Sequence, residues 1–342
     1  MKINKEEIQK RIDQNYISVQ KHPEADLYIY NYTQKCQFDG AWDEYTMMCR
    51  GLITDSEGNI VARPFKKFFN LEEGKTDLPA LPFEIYEKYD GSLGILYWIG
   101  DEPFLATRGS FTSDQAIKGT EILRKQLVDP SRLAKNFTYL FEIIYPANRV
   151  VCDYGNEEKL IVLAVIETES GKEQELLNFE GLEIAKRYHG VNDISKLKEL
   201  AEPNKEGFVI RFQDNTRVKV KFDEYVRLHK LVTGLSEKAI WELLKDGRDI
   251  DELLQKVPDE FFKWVKGIAN QLLDDYEKIE HLAEKEFKKI KDISDRKAFA
   301  LKASKFKYPS ILFNMLDKRN YSEIIWKQLR PKGQSTFKVD EL

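Results

Sequence analysis

Short apolar runs bounded by turn residues fill the first two thirds of the chain. Residues 85–88 (IYEK), 94–99 (GILYWI) and 160–166 (LIVLAVI) are rich in β-branched and aromatic side chains and predict strands. Gly100-Asp101-Glu102-Pro103 and Glu169-Ser170-Gly171 carry the residue types of hairpin turns. Helices are predicted over 113–127 and 177–189. Strands mixed with helices, without regular alternation, predict an α+β fold with a mostly antiparallel sheet. Beyond Lys230 strand-like runs almost vanish. Ser236 stands where it can cap a helix containing Ile240, Leu243 and Leu244. Phe261, Val265, Ile268, Ala269, Leu272, Tyr276, Ile279, Leu282 and Ala283 then recur at three- and four-residue spacing, one apolar helix face. The boundary is expected near 232–236, with a mixed domain over 1–234 and an all-helical one over 235–342.

Composition narrows the function classes. The 342 residues include 54 Lys plus Arg and 58 Asp plus Glu, so 33% are charged, against roughly 25% in ordinary soluble domains. No run of about 18 apolar residues occurs, which argues against a membrane span. The first residues, MKINKEE, lack the apolar core of a signal peptide. Cys36, Cys49 and Cys152 are widely spaced, which suggests neither a disulfide framework nor a thiolate metal cluster, and a reducing cytoplasm is the expected compartment. His22, His189, His229 and His281 are too scattered to suggest a zinc site. The net charge of −4 hides an asymmetry: from Glu286 to Leu342 there are 14 Lys plus Arg against 7 Asp plus Glu, a balance of +7, leaving −11 for the rest. A basic end on an acidic chain suits a polyanion, and a solvated helical face explains it equally well.

The chemistry concentrates in four segments. Lys88-Tyr89-Asp90-Gly91-Ser92 places a lysine after a strand and a tight turn before the next. Alone, this is also what an ordinary hairpin lysine looks like. Tyr139-Leu140-Phe141-Glu142-Ile143-Ile144 carries a glutamate on a strand, and Lys205-Glu206-Gly207-Phe208-Val209-Ile210-Arg211 sets Glu-Gly before another. In Val218-Lys219-Val220-Lys221-Phe222, period two puts both lysines on one face. For a lone acid a surface salt bridge is the common fate. Lysines and acids at separate strand positions nevertheless make a poor core and a good cleft for a nucleotide, its phosphates and a metal.

This ordered set resembles the covalent nucleotidyltransferase superfamily of DNA ligases, RNA ligases and mRNA capping enzymes. Within it the chain is most similar to the RNA ligase 1 family, typified by the tRNA-repair RNA ligase of T-even bacteriophages. Arg50-Gly51-Leu52-Ile53, Arg63-Pro64-Phe65-Lys66-Lys67-Phe68-Phe69-Asn70 and Thr107-Arg108-Gly109-Ser110 resemble further family elements, as do Tyr225 and Leu228-His229 after the lysine pair. The likeness spans about residues 50–230. Arg108 departs from it, standing where the family has lysine; a planar fork replaces a point charge.

The resemblance implies an ATP-grasp-like domain of antiparallel sheets with helices, followed by the helical domain as the specificity element for RNA. Lys88 would attack the α-phosphate of ATP, giving a lysyl-AMP phosphoramidate and pyrophosphate. A free lysine has a pKa of about 10.4, so its ammonium must first lose a proton, which neighbouring cations and a bound metal favour. Lys219, Lys221 and Lys67 are the candidate cations. Asp90, Glu142 and Glu206 are oxygen donors for Mg2+ or Mn2+, with ribose hydroxyls an alternative for Glu142. Gly91 and Gly207 would permit a tight turn and a close approach of nucleotide. Val209 and Val165 would flank adenine. Arg50, Lys67 and Arg108 would meet the triphosphate or the RNA 5′-phosphate, a structural ion pair being the other reading of Arg50, and Glu87 and Tyr225 complete the nucleotide-contacting set. The implied substrates are ATP and RNA with 5′-phosphate and 3′-hydroxyl ends, a cleaved tRNA in particular. The implied protein is a monomer acting away from membranes, in a cytoplasm that is the host's if a phage encodes it. Phe287, Phe299, Phe306, Tyr308, Phe313, Tyr321, Trp326 and Phe337 could stack bases, but their spacing reads mainly as core. The rivals are a DNA ligase or mRNA guanylyltransferase, which usually append a small β-barrel rather than helices, and a non-catalytic RNA-binding protein that keeps the fold.

Overall fold

The computed structural model describes residues 2–127, 129–176, 181–191, 193–233, 236–250 and 262–331. The chain divides into two compact units, Met1–Val232 and Thr233–Leu342.

In the first unit, α1 (Lys5–Asp13) is capped by the Asn4 side chain, which accepts from the Glu7 amide. It is followed by β1 (Ile17–Lys21), β2 (Leu27–Tyr32), short helices α2 (Gln34–Asp39) and α3 (Glu44–Met48), β3 (Arg50–Asp55) and β4 (Ile60–Ala62). The four strands form an antiparallel sheet in chain order. The rest of the unit builds two five-stranded sheets from β5 (Phe69–Asn70), β6 (Phe83–Lys88), β7 (Ser92–Ile99), β8 (Glu102–Ala106), β9 (Phe137–Ile144), β10 (Lys159–Glu167), β11 (Glu183–Ile184), β12 (Arg187–Tyr188), β13 (Gly207–Phe212) and β14 (Arg217–Lys221). One sheet has the order β11-β10-β9-β7-β8 and the other β12-β6-β13-β14-β5. Pairing is antiparallel apart from the edge contacts β10–β11 and β14–β5. The β7–β8 turn is Gly100-Asp101, with Gly100 at φ 60°, so the predicted hairpin falls where the glycine permits it. The α4 helix (Asp114–Gln126), capped by Ser113, covers one face of the first sheet, where Ile122 and Leu123 join Leu96, Phe141, Ile143, Val162 and Val165 in a buried cluster.

The helix expected over 177–189 does not form where that stretch is described. Residues 177–180 lie outside the described residues, and 183–188 supply the edge strands of both sheets: Ile161 pairs with Glu183, and Tyr86 with Arg187. Between them Ala185 N–H donates to the Val162 carbonyl, and Glu87 N–H to the Lys186 carbonyl. Unpaired donors and acceptors at two sheet edges outweigh local helix propensity.

In the second unit, α6 (Glu237–Lys245) is capped by Ser236 through the Ala239 amide, following α5 (Asp223–Thr233) at the end of the first. Then come α7 (Phe262–Lys288), α8 (Arg296–Ala303), α9 (Pro309–Leu316) and α10 (Ser322–Gln328). Ile279 and Ala283 of α7 pack with Phe299, Ala303, Ile311, Leu312 and Ile325. Phe299 and Trp326 are buried, and Phe287, Phe306, Tyr308, Phe313 and Tyr321 pack partly buried against the same cluster; Phe261 and Phe337 lie outside the described residues. Among the described residues no helix is long and apolar enough to cross a membrane.

Truncating Phe299 to Ala should cost about 3–5 kcal/mol of unfolding free energy, because its whole ring fills that core. Leu301, 64% exposed, should tolerate the same change within about 0.5 kcal/mol. Denaturant titration of the two variants checks this; equal losses would contradict the assignment of the core.

Candidate active site

Register across the second five-stranded sheet brings the motif residues into one row. Gly207 of β13 pairs with Lys88 of β6 on one side and Lys221 of β14 on the other. Two residues along, Val209 pairs with Tyr86 and Lys219. With a side-chain period of two, Lys88, Val209, Lys219 and Lys221 share one face. The opposite face is apolar core: Ile85, Phe208, Ile210, Val218 and Val220 are buried. Gly207 has φ 151°, and a Cβ there would lie 2.0 Å from the Val220 carbonyl oxygen. The close approach it permits within the fold is that of β14.

Glu206 precedes this row and ties it together. Its Oε1 lies 2.8 Å from Lys88 Nζ and 3.0 Å from Lys221 Nζ. Glu206 is 3% exposed and the Lys88 side chain 22%, so the carboxylate is sunk while the amine it holds still reaches solvent. Glu87, expected among the nucleotide contacts, sits on the other face by the same alternation; its carboxylate accepts from Tyr188 Oη at 2.8 Å and pairs with Lys205 at 3.2 Å.

Residues 89–91 are not a hairpin turn. They carry the chain from β6 in one sheet to β7 in the other, and that crossing brings Glu142 in. Gly91 N–H donates to Glu142 Oε1 at 2.8 Å, and a Cβ on Gly91 would meet the Ile143 carbonyl oxygen at 2.5 Å. Glycine is required there by the approach of β9. Burial pushes the Glu142 carboxyl up to about 7; Lys88 opposes the shift, and Glu206 and Asp90 add to it.

Asp90 serves the protein itself. Its Oδ2 accepts from the amides of Val151 and Cys152, each at 2.8 Å, and its Oδ1 from Tyr225 Oη at 2.7 Å. The Tyr225 ring in turn lies 5.0 Å from the Lys221 ammonium. Asp90 is therefore a brace between the crossing, the 151–152 loop and α5. Among the described residues no three His, Cys, Asp or Glu side chains gather as a metal-holding group. Glu142, Glu206 and Asp90 are hard oxygen donors of the kind that suits Mg2+ or Mn2+, each already engaged by protein groups: Gly91 on Glu142, two lysines on Glu206 and three hydrogen bonds on Asp90. The arrangement fits a cation held by one or two carboxylates together with water and phosphate oxygens, not a cage of three acids.

The cations expected to meet phosphates rest on aromatic rings. Lys67, 3% exposed, has its ammonium 5.6, 5.3 and 5.1 Å from the ring centres of Tyr32, Trp42 and Phe69. The Arg108 guanidinium lies 5.1 Å from the Tyr32 ring and donates to its hydroxyl at 3.1 Å. Arg50 sits 5.5 Å from the Phe68 ring. Tyr32 and Trp42, which carry these cations, stand in none of the sequence motifs. Val165 belongs to the core beneath α4 and cannot flank a base. Leu163, beside Tyr86, Tyr89 and Tyr154, lies nearer the site.

A lysine-centred, carboxylate-bridged site between two sheets is the arrangement of a group-transfer enzyme rather than of a passive scaffold. Residues 48–226 match the RNA ligase family, and the chain belongs to that family. It is 31% identical over 284 residues to a putative RNA ligase of Thermovibrio ammonificans, covering 70% of this chain and 74% of that protein. It is 25% identical to the RNA ligase of Rhodothermus phage RM378, covering 86% and 85% respectively. Among solved structures, a putative ATP-dependent DNA ligase from Aquifex aeolicus aligns with a TM-score of 0.44 at 17% identity, covering 82% of this chain and 75% of that one.

Because folding raises the Glu142 carboxyl from 4.5 to about 7, the stability it contributes is complete below pH 4.5 and is lost as pH rises through about 7. Glu142→Gln keeps an acceptor for Gly91 and removes the titration. Its stability relative to wild type should rise between pH 5 and pH 8, read by denaturant unfolding without nucleotide; a difference independent of pH would contradict this.

Proposed function

We propose that the chain is an ATP-dependent RNA ligase that joins a 5′-phosphate to a 3′-hydroxyl, and that it acts in tRNA repair. The observation that carries the proposal is the single carboxylate oxygen of Glu206 shared by Lys88 and Lys221. The Lys88 amine attacks the α-phosphorus of ATP, forming a P–N bond as the bond to pyrophosphate breaks. An oxygen of the RNA 5′-phosphate then displaces Lys88, giving an RNA-adenylate. A 3′-hydroxyl attacks the RNA phosphorus and AMP leaves. Lys219 and Lys221, on the face of Lys88, balance charge gathering on the phosphates. Arg50, Lys67 and Arg108 hold the triphosphate or the RNA phosphate, with Tyr32 and Trp42 seating Lys67, Tyr32 seating Arg108 and Phe68 seating Arg50. Val209 underlies the adenine. Mg2+ or Mn2+, held through Glu142 or Glu206, supplies Lewis-acid neutralisation of phosphate oxygens. Asp90 and Tyr225 act as positioning residues. All these groups lie in the 1–232 unit, so a monomer suffices for the chemistry. The basic end beyond Glu286 supports a role for the second unit in choosing tRNA.

Ends and nucleotides test this together. The wild-type chain should seal 5′-phosphate RNA with ATP and fail with GTP. Lys88→Ala should lose that activity at least about a thousandfold while still sealing pre-adenylated RNA. Sealing of unadenylated RNA by Lys88→Ala would remove the lysine from the mechanism, and preference for GTP would point to a capping enzyme instead.

A further inference from the structure

A cavity of about 960 Å³ that Lys88 does not line lies within the same unit, bounded by segments 63–69, 75–77 and 214–217 and sharing Lys67 and Trp42 with the site above. It is near the upper end of the range for sites that take a small ligand. Arg63, Lys66, Lys67, Lys75 and Arg217 line it, against the acids Asp77, Glu173 and Asp214. Glu173 is consumed internally, paired with Arg211 and Arg217. Lys66 and Lys75 are exposed at its rim.

Its walls alternate cations with rings. The Arg217 guanidinium lies 4.4 Å from the Phe65 ring centre, and Lys75 lies 5.2 Å from Phe69. The cavity also adjoins the chemistry: Phe69 pairs with Val218 and Asn70 with Lys219, and Lys219 is about 7 Å along its strand from Lys221. A groove that offers cations to a backbone and rings and guanidinium planes to bases is the chemistry that binds single-stranded nucleic acid.

We propose that this cavity receives the single-stranded RNA nucleotides that follow the 5′-phosphate, with their backbone on Lys66 and Lys75. The proposal rests on the RNA-joining activity above and adds where the polynucleotide lies. The test uses the full chain with Lys66→Ala and Lys75→Ala combined, both surface changes. The KM for 5′-phosphorylated RNA should rise about tenfold, and the slope of log affinity against log salt should fall by about 1.4, since each single-strand phosphate contact contributes about 0.7. The rate of Lys88 adenylylation and the KM for ATP should stay within about twofold of wild type. Wild-type protein bound to RNA with 4-thiouridine at its first three nucleotides should cross-link through segments 63–69 or 75–77. An unchanged RNA KM and salt slope would overturn the proposal, as would a raised KM for ATP with RNA affinity intact, which would mark a triphosphate pocket. Cross-links confined to other segments would overturn it too. If wild type itself neither adenylylates nor seals, the ligase activity fails; if wild type seals and the variant matches it, only the cavity assignment fails.

Discussion

The carboxylate of Glu206, held between the ammoniums of Lys88 and Lys221, is the contact on which the rest of the site depends. An ionised group this deeply sunk must be paired, and removing one partner of a buried ion pair typically costs about 3–5 kcal/mol. The pairing works only in one strand register. Gly207 must sit between Lys88 and Lys221, and only a glycine tolerates the Val220 carbonyl at that distance. A slip of one residue would send both lysines into the apolar face occupied by Phe208 and Val220. Core packing on one side of the sheet thereby sets the charge geometry on the other.

The crossing from β6 to β7 couples that row to the second sheet at an electrostatic cost. Glu142, Glu206 and Asp90 are like charges near one another, and burial raises the Glu142 carboxyl. The strain is partly offset by Lys88 and by the Gly91 amide. A site destabilised by its own carboxylates is suited to a ligand that brings positive charge, and it is less stable on its own than a neutral version would be. Asp90 adds to this tension while its own carboxylate accepts three hydrogen bonds from the surrounding frame.

Much of this was legible in the sequence because the signals were local. The shared face of Lys219 and Lys221 follows from strand period alone, and the helix over 114–126 follows its Ser113 cap. The order of Lys88, Glu142, Glu206 and the lysine pair pointed to the family to which the chain belongs. What escaped depends on partners far away in the chain. Nothing near Asp90 in the sequence shows that Val151, Cys152 and Tyr225, 61 to 135 residues distant, donate to its carboxylate. Val165 looks like a wall for a base until the bulge between Val162 and Ala164 and the packing of α4 fix which way it points. The 183–188 segment becomes strand because two sheet edges need partners, a demand no local pattern records. The ring cage around Lys67 gathers Tyr32, Trp42 and Phe69 from two strands and the loop between α2 and α3.

The nucleotide can be located on the protein itself. The wild-type chain would be incubated with ATP and Mg2+, denatured, digested and its peptides sequenced by mass spectrometry. AMP should be found in acid-labile linkage to the Lys88 side chain and to no other residue. AMP on Lys219, on Lys221 or elsewhere, or a chain that seals RNA without any covalent AMP, would contradict it.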